Sequence, residues 1–266
     1  MNILDRIVAT KRAEIARLSV PAAASATPRA SFIEAIFRDQ PAFIAEIKPK
    51  SPSAGPLLAA EQLPSVVAAY DRSAAAISVL CDETYFGGGY DLLATVASLT
   101  DKPLLAKEFI IDRRQIARAA AGGASAVLLI AAILEAHSLA ELIRAAENCR
   151  CDVLLEVHDE EDVAKAAKAL DALGGDRGRR RVVFGINNRN LDTLDIDLKQ
   201  TERLAPLIRE RFDSGRLIIA ESGIESPDHC RRLAPLVDGF LVGTSLLQSP
   251  DPADYLQKLI SVCVLS

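Results

Sequence analysis

The chain has no tryptophan, and aromatic residues make up only 5% of its 266 positions. A surface that stacks nucleobases needs rings, and few are available here. The charge balance has the wrong sign for a polyanion partner: 31 Lys and Arg against 36 Asp and Glu leave a net −5. No nucleic-acid partner is expected. Histidine is scarce, with His137, His158 and His229 far apart. The five cysteines (Cys81, Cys149, Cys151, Cys230 and Cys263) are odd in number and offer only one Cys-x-Cys pair. Neither set has the spacing of a disulfide framework or a metal site, so no metal is expected and the thiols suit a reducing cytoplasm. No GxGxxG or GxxxxGK segment occurs, which argues against a dinucleotide fold and a P-loop. No run of about 18 uncharged apolar residues exists, so no membrane span is expected. The opening MNILDRIVATKRAEIARL mixes charge with apolar residues throughout and is not read as a signal peptide. With 14 Gly, 13 Pro and no short period, collagen-like and low-complexity readings also fall away.

Aliphatic mass is what the chain does have: half of it is hydrophobic, and Ala, Leu and Ile supply most of that half. Residues 2–18 carry Ile3, Leu4, Ile7, Val8, Ile15 and Leu18 at helical spacing, and Phe32, Ile33, Ile36 and Phe37 suggest a second short helix. After Pro41 the texture changes. Eight short apolar runs follow: 43–47, 76–80, 103–107, 126–130, 152–156, 182–186, 217–220 and 239–243. Most are nearly unbroken, as expected of parallel strands buried on both faces. Helical periodicity fills 64–74, 91–99, 112–122, 138–149, 159–173, 197–211, 226–235 and 253–263. Eight strands alternating with eight helices is the order of a (β/α)8 TIM barrel. The open doubly wound sheet is the alternative, but it usually has fewer strands. A barrel fills roughly 200–250 residues. Residues 43–266 are therefore read as the barrel and 1–42 as an N-terminal helical extension packed on it.

Barrel active sites form where strands end and βα loops begin. The first strand ends in Glu46 and Lys48, the third in Lys107 and Glu108, and the fifth in Glu156. The sixth gives Asn187 and Arg189, the seventh Glu221-Ser222-Gly223, and the eighth Gly243-Thr244-Ser245. An enclosed ionised group costs several kcal/mol unless it is paired or meets a ligand. So many charges on one rim point to a functional site, although they also pair with one another. Ser222-Gly223 and Gly243-Thr244 fit the phosphate site common after the last two barrel strands. There glycine lets backbone N–H groups approach the anion, and a helix dipole adds about 0.3–1 kcal/mol per charge. The residues thus suggest an enzyme acting on a small phosphorylated metabolite with Lys and Glu. A Schiff-base lysine stays open, because Lys107 stands at a strand end. Gly87-Gly88-Gly89 reads either as a flexible loop or as a second phosphate cradle. The run GGDRGRRR at 174–181 reads as a solvated loop on the opposite face.

The stretches IAEIKPKSPSAG (44–55), LLAKEFIID (104–112), GASAVLLIAAIL (123–134), LLEVHDEEDV (154–163), GINNRNLDTLDIDL (185–198), AESGI (220–224) and FLVGTSLL (240–247) resemble the indole-3-glycerol phosphate synthases, in order and across nearly the whole chain. EIKPKSPS is the most specific piece. Glu108 and Asn190 depart from the family, which usually has Asp at both. The resemblance implies cyclisation of 1-(2-carboxyphenylamino)-1-deoxyribulose 5-phosphate, with loss of CO₂ and water, and no cofactor. It makes Lys107 the general acid, with Lys48 near the substrate carboxylate and open to sharing that role. It makes Glu156 the acid/base of the late step, and Glu46 and Asn187 positioning groups. Arg189 and Glu221 would hold the network and the glycerol hydroxyls. Ser51, Ser222, Gly223, Gly243 and Thr244 would meet the phosphate or rim, and Phe86, Phe109, Leu128 and Leu191 would wall the aromatic slot. Another phosphate barrel (an isomerase or a Schiff-base aldolase) and a non-catalytic barrel are the competing classes. The chain is expected to act in the cytoplasm as a monomer or at most a weak homo-oligomer.

Overall fold

A computed structural model describes residues 3–19, 30–51, 54–174, 181–190, 193, 195–212 and 215–264. Eight parallel strands close into a barrel: β1 (Ala42–Ile47), β2 (Ala76–Leu80), β3 (Leu104–Lys107), β4 (Ala126–Ile130), β5 (Asp152–Val157), β6 (Val182–Asn187), β7 (Ile218–Glu221) and β8 (Gly239–Val242). β8 returns to β1, with Ile44 beside Leu241, so no edge is left open. Each strand lies within about a residue of its apolar run. Their side chains are buried almost throughout, which is why the runs were unbroken.

Alternation along each strand divides the core in two. Phe43, Ala45 and Ile47 of β1 face the surrounding helices, whereas Ala42 and Ile44 face inward. The same alternation sends Leu105, Leu128, Leu154, Val183, Ile219 and Leu241 into the barrel. Continued toward the C-terminal ends, by two steps on β6 and one on the other strands, it points Glu46, Lys107, Glu156, Asn187 and Glu221 into the barrel mouth and brings Gly243 there. The period-2 geometry of the strands therefore assembles the rim before any loop is considered.

Two helices precede the barrel, α1 (Ile3–Ile15) and α2 (Phe32–Arg38). α1 stops short of the expected 18, where Arg17 and Leu18 close a turn onto Glu14 and Ile15. α2 is capped by Ser31, whose Oγ accepts from the Glu34 N–H. Its Phe32 and Ile36 are fully buried and plug the N-terminal mouth of the barrel. Asp152 at the start of β5 fixes this plug: it accepts from Ser31 Oγ at 3.1 Å and Ile33 N at 3.2 Å, and pairs with Arg181 at 2.9 Å. Gly174 and Arg181 flank the Arg-rich run at this same end. Residues 175–180 lie outside the described residues, as does Leu191.

The connecting helices are α3 (Leu63–Asp71), α4 (Tyr90–Leu99), α5 (Arg113–Ala121), α6 (Ala136–Asn148), α7 (Glu160–Leu173), α8 (Lys199–Phe212), α9 (Pro227–Leu233), the short α10 (Thr244–Leu247) and α11 (Pro252–Val264). The four-residue α10 was not foreseen. The loop after β1 also carries an unforeseen hairpin, with Lys50-Ser51 paired to Gly55-Pro56. The Lys50 N–H donates to Phe86 O at 3.1 Å, so this loop leans on the one after β2. Among the described residues, no helix is long and apolar enough to cross a membrane, and no cluster of His, Cys, Asp and Glu has metal-binding geometry.

Candidate active site

A cavity of about 560 Å³ opens at the C-terminal ends of the strands, within the size range of small-ligand sites. Every site residue named from the sequence except Leu191 lines it. Its roof adds Leu4 and Ile7 from α1, which the sequence placed only on an amphipathic helix.

Lys107 is the electrostatic centre. Its Nζ lies 3.1 Å from Glu156 Oε2 and 3.0 Å from Glu221 Oε2. Burial would lower the basicity of this ammonium. Glu156, Glu221 and Glu46 outweigh burial and hold it above the ordinary lysine value, so Lys107 is charged at neutral pH. The two glutamates differ. Burial pushes Glu156 up, but Lys107, His158 and Asn187 pull it well below the usual carboxylate range. Asn187 donates its Nδ2 to Glu156 Oε1 at 3.1 Å. Burial also pushes Glu221 up; Lys107 opposes this, Glu156 and Glu46 reinforce it, and Glu221 ends above the ordinary value. Across the mouth, Lys48 pairs with Glu46 at 2.6 Å.

Two glycines make room for these carboxylates. Gly185 is interior on β6, and a Cβ there would overlap Glu221 Oε1. A lone glycine inside a buried strand is the sequence sign of such an approach. A Cβ at Gly243 would overlap Glu46 Oε1. Gly243 has φ −128°, so space rather than backbone conformation requires glycine there. This adds to the phosphate reading of that position. Gly243→Val is expected to displace Glu46 as well as crowd the anion. Steady-state kinetics should show kcat falling and KM rising together, by roughly 10²-fold in kcat/KM. A rise in KM alone would mean that Glu46 tolerates the displacement.

Ser222 and Gly223 take φ of 64° and 75°, turning the chain sharply after β7. The first N–H groups of α10 point out of the helix at Thr244, Ser245 and Leu246, without intrahelical acceptors. Asn188 fastens this side. It donates to Glu221 O at 3.1 Å and Ser222 O at 3.2 Å, and accepts from Thr201 Oγ1 at 2.7 Å. Its partner in the Asn-Asn doublet points into the site, so strand alternation gives the two asparagines different tasks.

The aromatic wall has Phe86 and Phe109 with ring centres 6.2 Å apart, and Leu128 nearby in the same cavity. The glycine triplet forms no anion cradle: the Gly87, Gly88 and Gly89 N–H groups donate to Glu83, Asp82 and Leu80 carbonyls. Glu108, which stands where the family usually has Asp, is buried and paired. Lys11 of α1 lies 3.0 Å from Glu108, 2.7 Å from Asp82 and 2.8 Å from Glu14.

Residues 4–259 match the profile of the indole-3-glycerol phosphate synthase family. The chain belongs to that family. A relative named indole-3-glycerol phosphate synthase from Exiguobacterium sibiricum is 38% identical, over 98% of this chain and 98% of its own. One of the same name from Thermococcus kodakarensis is 36% identical over 83% of this chain and 92% of its own. The Helicobacter pylori protein named "Tryptophan biosynthesis protein TrpCF" is 35% identical over 97% of this chain, which spans 55% of that longer protein. Among solved structures, the "KGPDC" of Streptococcus mutans superposes with a TM-score of 0.61 at 14% identity, covering 85% of this chain and 98% of its own, and shares the fold. The family places the chain in tryptophan biosynthesis as a carboxy-lyase, forming indole-3-glycerol phosphate from its phosphorylated substrate.

Proposed function

We propose a division of labour for this reaction within the cavity. Lys107 gives a proton to the substrate carbonyl oxygen while the anthranilate ring attacks the carbonyl carbon. The observation that carries this role is its place, in one cavity with the phosphate loops, between two buried carboxylates that keep it protonated. Loss of CO₂ then restores aromaticity. The hydroxyl then leaves as water with a proton from the second acid, and Glu156, held as a carboxylate, takes the proton that the ring gives up. Lys48, braced by Glu46, faces the substrate carboxylate and is the second candidate acid. Asn187 orients Glu156 and, through its Oδ1, accepts the Arg189 N–H at 3.0 Å. Arg189 and Glu221 hold the glycerol hydroxyls. Ser51, Ser222, Gly223, Gly243 and Thr244 surround the phosphate, and Phe86, Phe109 and Leu128 enclose the ring. The chain functions as a cytoplasmic monomer, with the segment before β1 an extension of the barrel.

The assay follows indole fluorescence from the carboxyphenylamino-deoxyribulose phosphate. Turnover is expected without added metal, nucleotide or pyridoxal phosphate, with sulfate as a competitive inhibitor. Activity lost to EDTA and restored by a divalent ion would overturn this mechanism. Non-competitive sulfate would move the phosphate away from Ser222 and Gly243.

A further inference from the structure

His158 stands two residues beyond Glu156, on the same face of the chain as it leaves β5. Its Nε2 faces Glu156 Oε1 at the ion-pair distance of 3.1 Å, without the alignment of a hydrogen bond, and its Nδ1 is 3.4 Å from Asp162 Oδ2. A ring with a carboxylate at each nitrogen suits the imidazolium, the form with protons on both. Burial would lower its basicity, but Asp162 and Glu156 outweigh burial and bring it to about 9. Asp162 of α7 is itself held: it accepts the His158 N–H at 3.0 Å and sits 3.4 Å from Lys165.

The groups around Glu156 are therefore Lys107 from β3, His158 from its own strand end and the neutral Asn187 from β6, with the like charge of Glu221 beyond Lys107. Glu221 has Lys107 as its countercharge, feels Glu46 as a further like charge, and among the described residues meets no donor besides Lys107 at either oxygen. Once Lys107 has given its proton to the substrate, it is a neutral amine between two carboxylates. Two such buried groups do not both stay ionised without a cation. We propose that His158 is a positioning residue that decides between them: its imidazolium keeps Glu156 a carboxylate, ready to act as base, and leaves Glu221 to carry the proton that recharges Lys107. The balance closes. In the dehydration the proton gained by Glu156 returns to the acid that protonated the hydroxyl, so those two cancel; the substrate carboxylate leaves as neutral CO₂, so each turnover takes up one proton from solvent, and that proton restores the ammonium.

This inference rests on the roles given to Lys107 and Glu156 above. The test is the pH profile of His158→Asn. Losing the cation raises the pH at which Glu156 ionises, so the acidic limb of kcat is expected to move up by about 1–3 pH units. KM should stay within about twofold, and much of the loss should be recovered at high pH. An equal loss at all pH values would mean a merely structural role. Should that variant not fold, Asp162→Asn retains the ring but removes its outer carboxylate, and the same limb should move in the same direction by less; an unmoved limb would count against the proposal. Independently, NMR titration of the wild-type ring should find His158 protonated at pH 7; a neutral ring there overturns the proposal. Glu156→Gln separates the two levels. If it keeps near-normal turnover, the role of Glu156 is wrong. If it is inactive while His158→Asn keeps the wild-type profile, only the role of His158 is.

Discussion

Lys107→Ala is expected to lower kcat by roughly 10²–10⁴-fold, the usual contribution of a positioned proton donor. Alanine removes the only cation within ion-pair distance of Glu221 among the described residues and one of the two beside Glu156. The effect on stability has a definite sign. Taking away an unpaired rim charge would relieve desolvation, but this charge is paired twice. Without it, two carboxylates 2% and 1% exposed lose their shared partner. Breaking a buried pair by removing one member costs about 3–5 kcal/mol. Glu221, left with no cation, responds by taking up a proton, so its folded-state pKa rises further above that of the unfolded chain, while His158 still faces Glu156. A carboxylate raised in this way destabilises the fold as pH climbs past its unfolded value near 4.3. The melting temperature of Lys107→Ala should therefore fall short of wild type by little at pH 5 and by much more at pH 8. Near-normal turnover in the folded variant would pass the acid role to Lys48. A pH-independent melting difference would mean that Glu221 finds another partner.

The barrel was legible because its strands are buried on both faces and its helices on one. Both facts leave a period in the sequence, and every strand was found within about a residue. The inward rim was legible for the same reason, since Glu46, Lys107, Glu156 and Asn187 each continue the alternation of an apolar run. What escaped is what depends on residues distant in sequence. Lys11 reads as one charge on the wet face of an amphipathic helix, yet it is 1% exposed, because its carboxylate partners come from the ends of β2 and β3. Glu108 reads as a conservative change beside Lys107 and proves to be the other half of that contact. His158 was one of three scattered histidines, but its spacing of two from Glu156 in an extended chain already put both side chains on one face. Gly185 carried a local signal as well, a glycine inside an otherwise aliphatic strand. The reason for that glycine, the Glu221 carboxylate, lies on the neighbouring strand and cannot be seen from β6 alone.

Lys11→Met should destabilise the protein by about 3–5 kcal/mol at neutral pH. For a chain of this size that corresponds to a fall in melting temperature of roughly 6–20 °C. Methionine matches the length of the stem and leaves Asp82 and Glu108 buried with no countercharge from α1. Glu108 is already raised to about 7, by burial first and Asp82 next, with Lys11 the main opposing influence. Without Lys11 it rises further, so the loss should be larger at pH 8 than at pH 5, by the same linkage as above. The consequence reaches the site. Asp82 Oδ1 accepts the Tyr85 and Phe86 N–H groups at 2.6 and 3.0 Å, and Glu108 Oε1 accepts that of Phe109 at 2.7 Å. One ammonium from α1 thus braces the two carboxylates that set the backbone of both aromatic walls, while Leu4 and Ile7 of the same helix roof the cavity. KM should rise several-fold in the folded variant, with kcat less affected, because the Lys107 contacts are untouched. Adding Glu108→Gln, which removes one of the stranded charges, should recover part of the stability. A single Lys11→Met protein within about 1 kcal/mol of wild type at pH 8 would show that water or a rearranged α1 satisfies Asp82 and Glu108, and that the N-terminal helix is not fastened through this lysine.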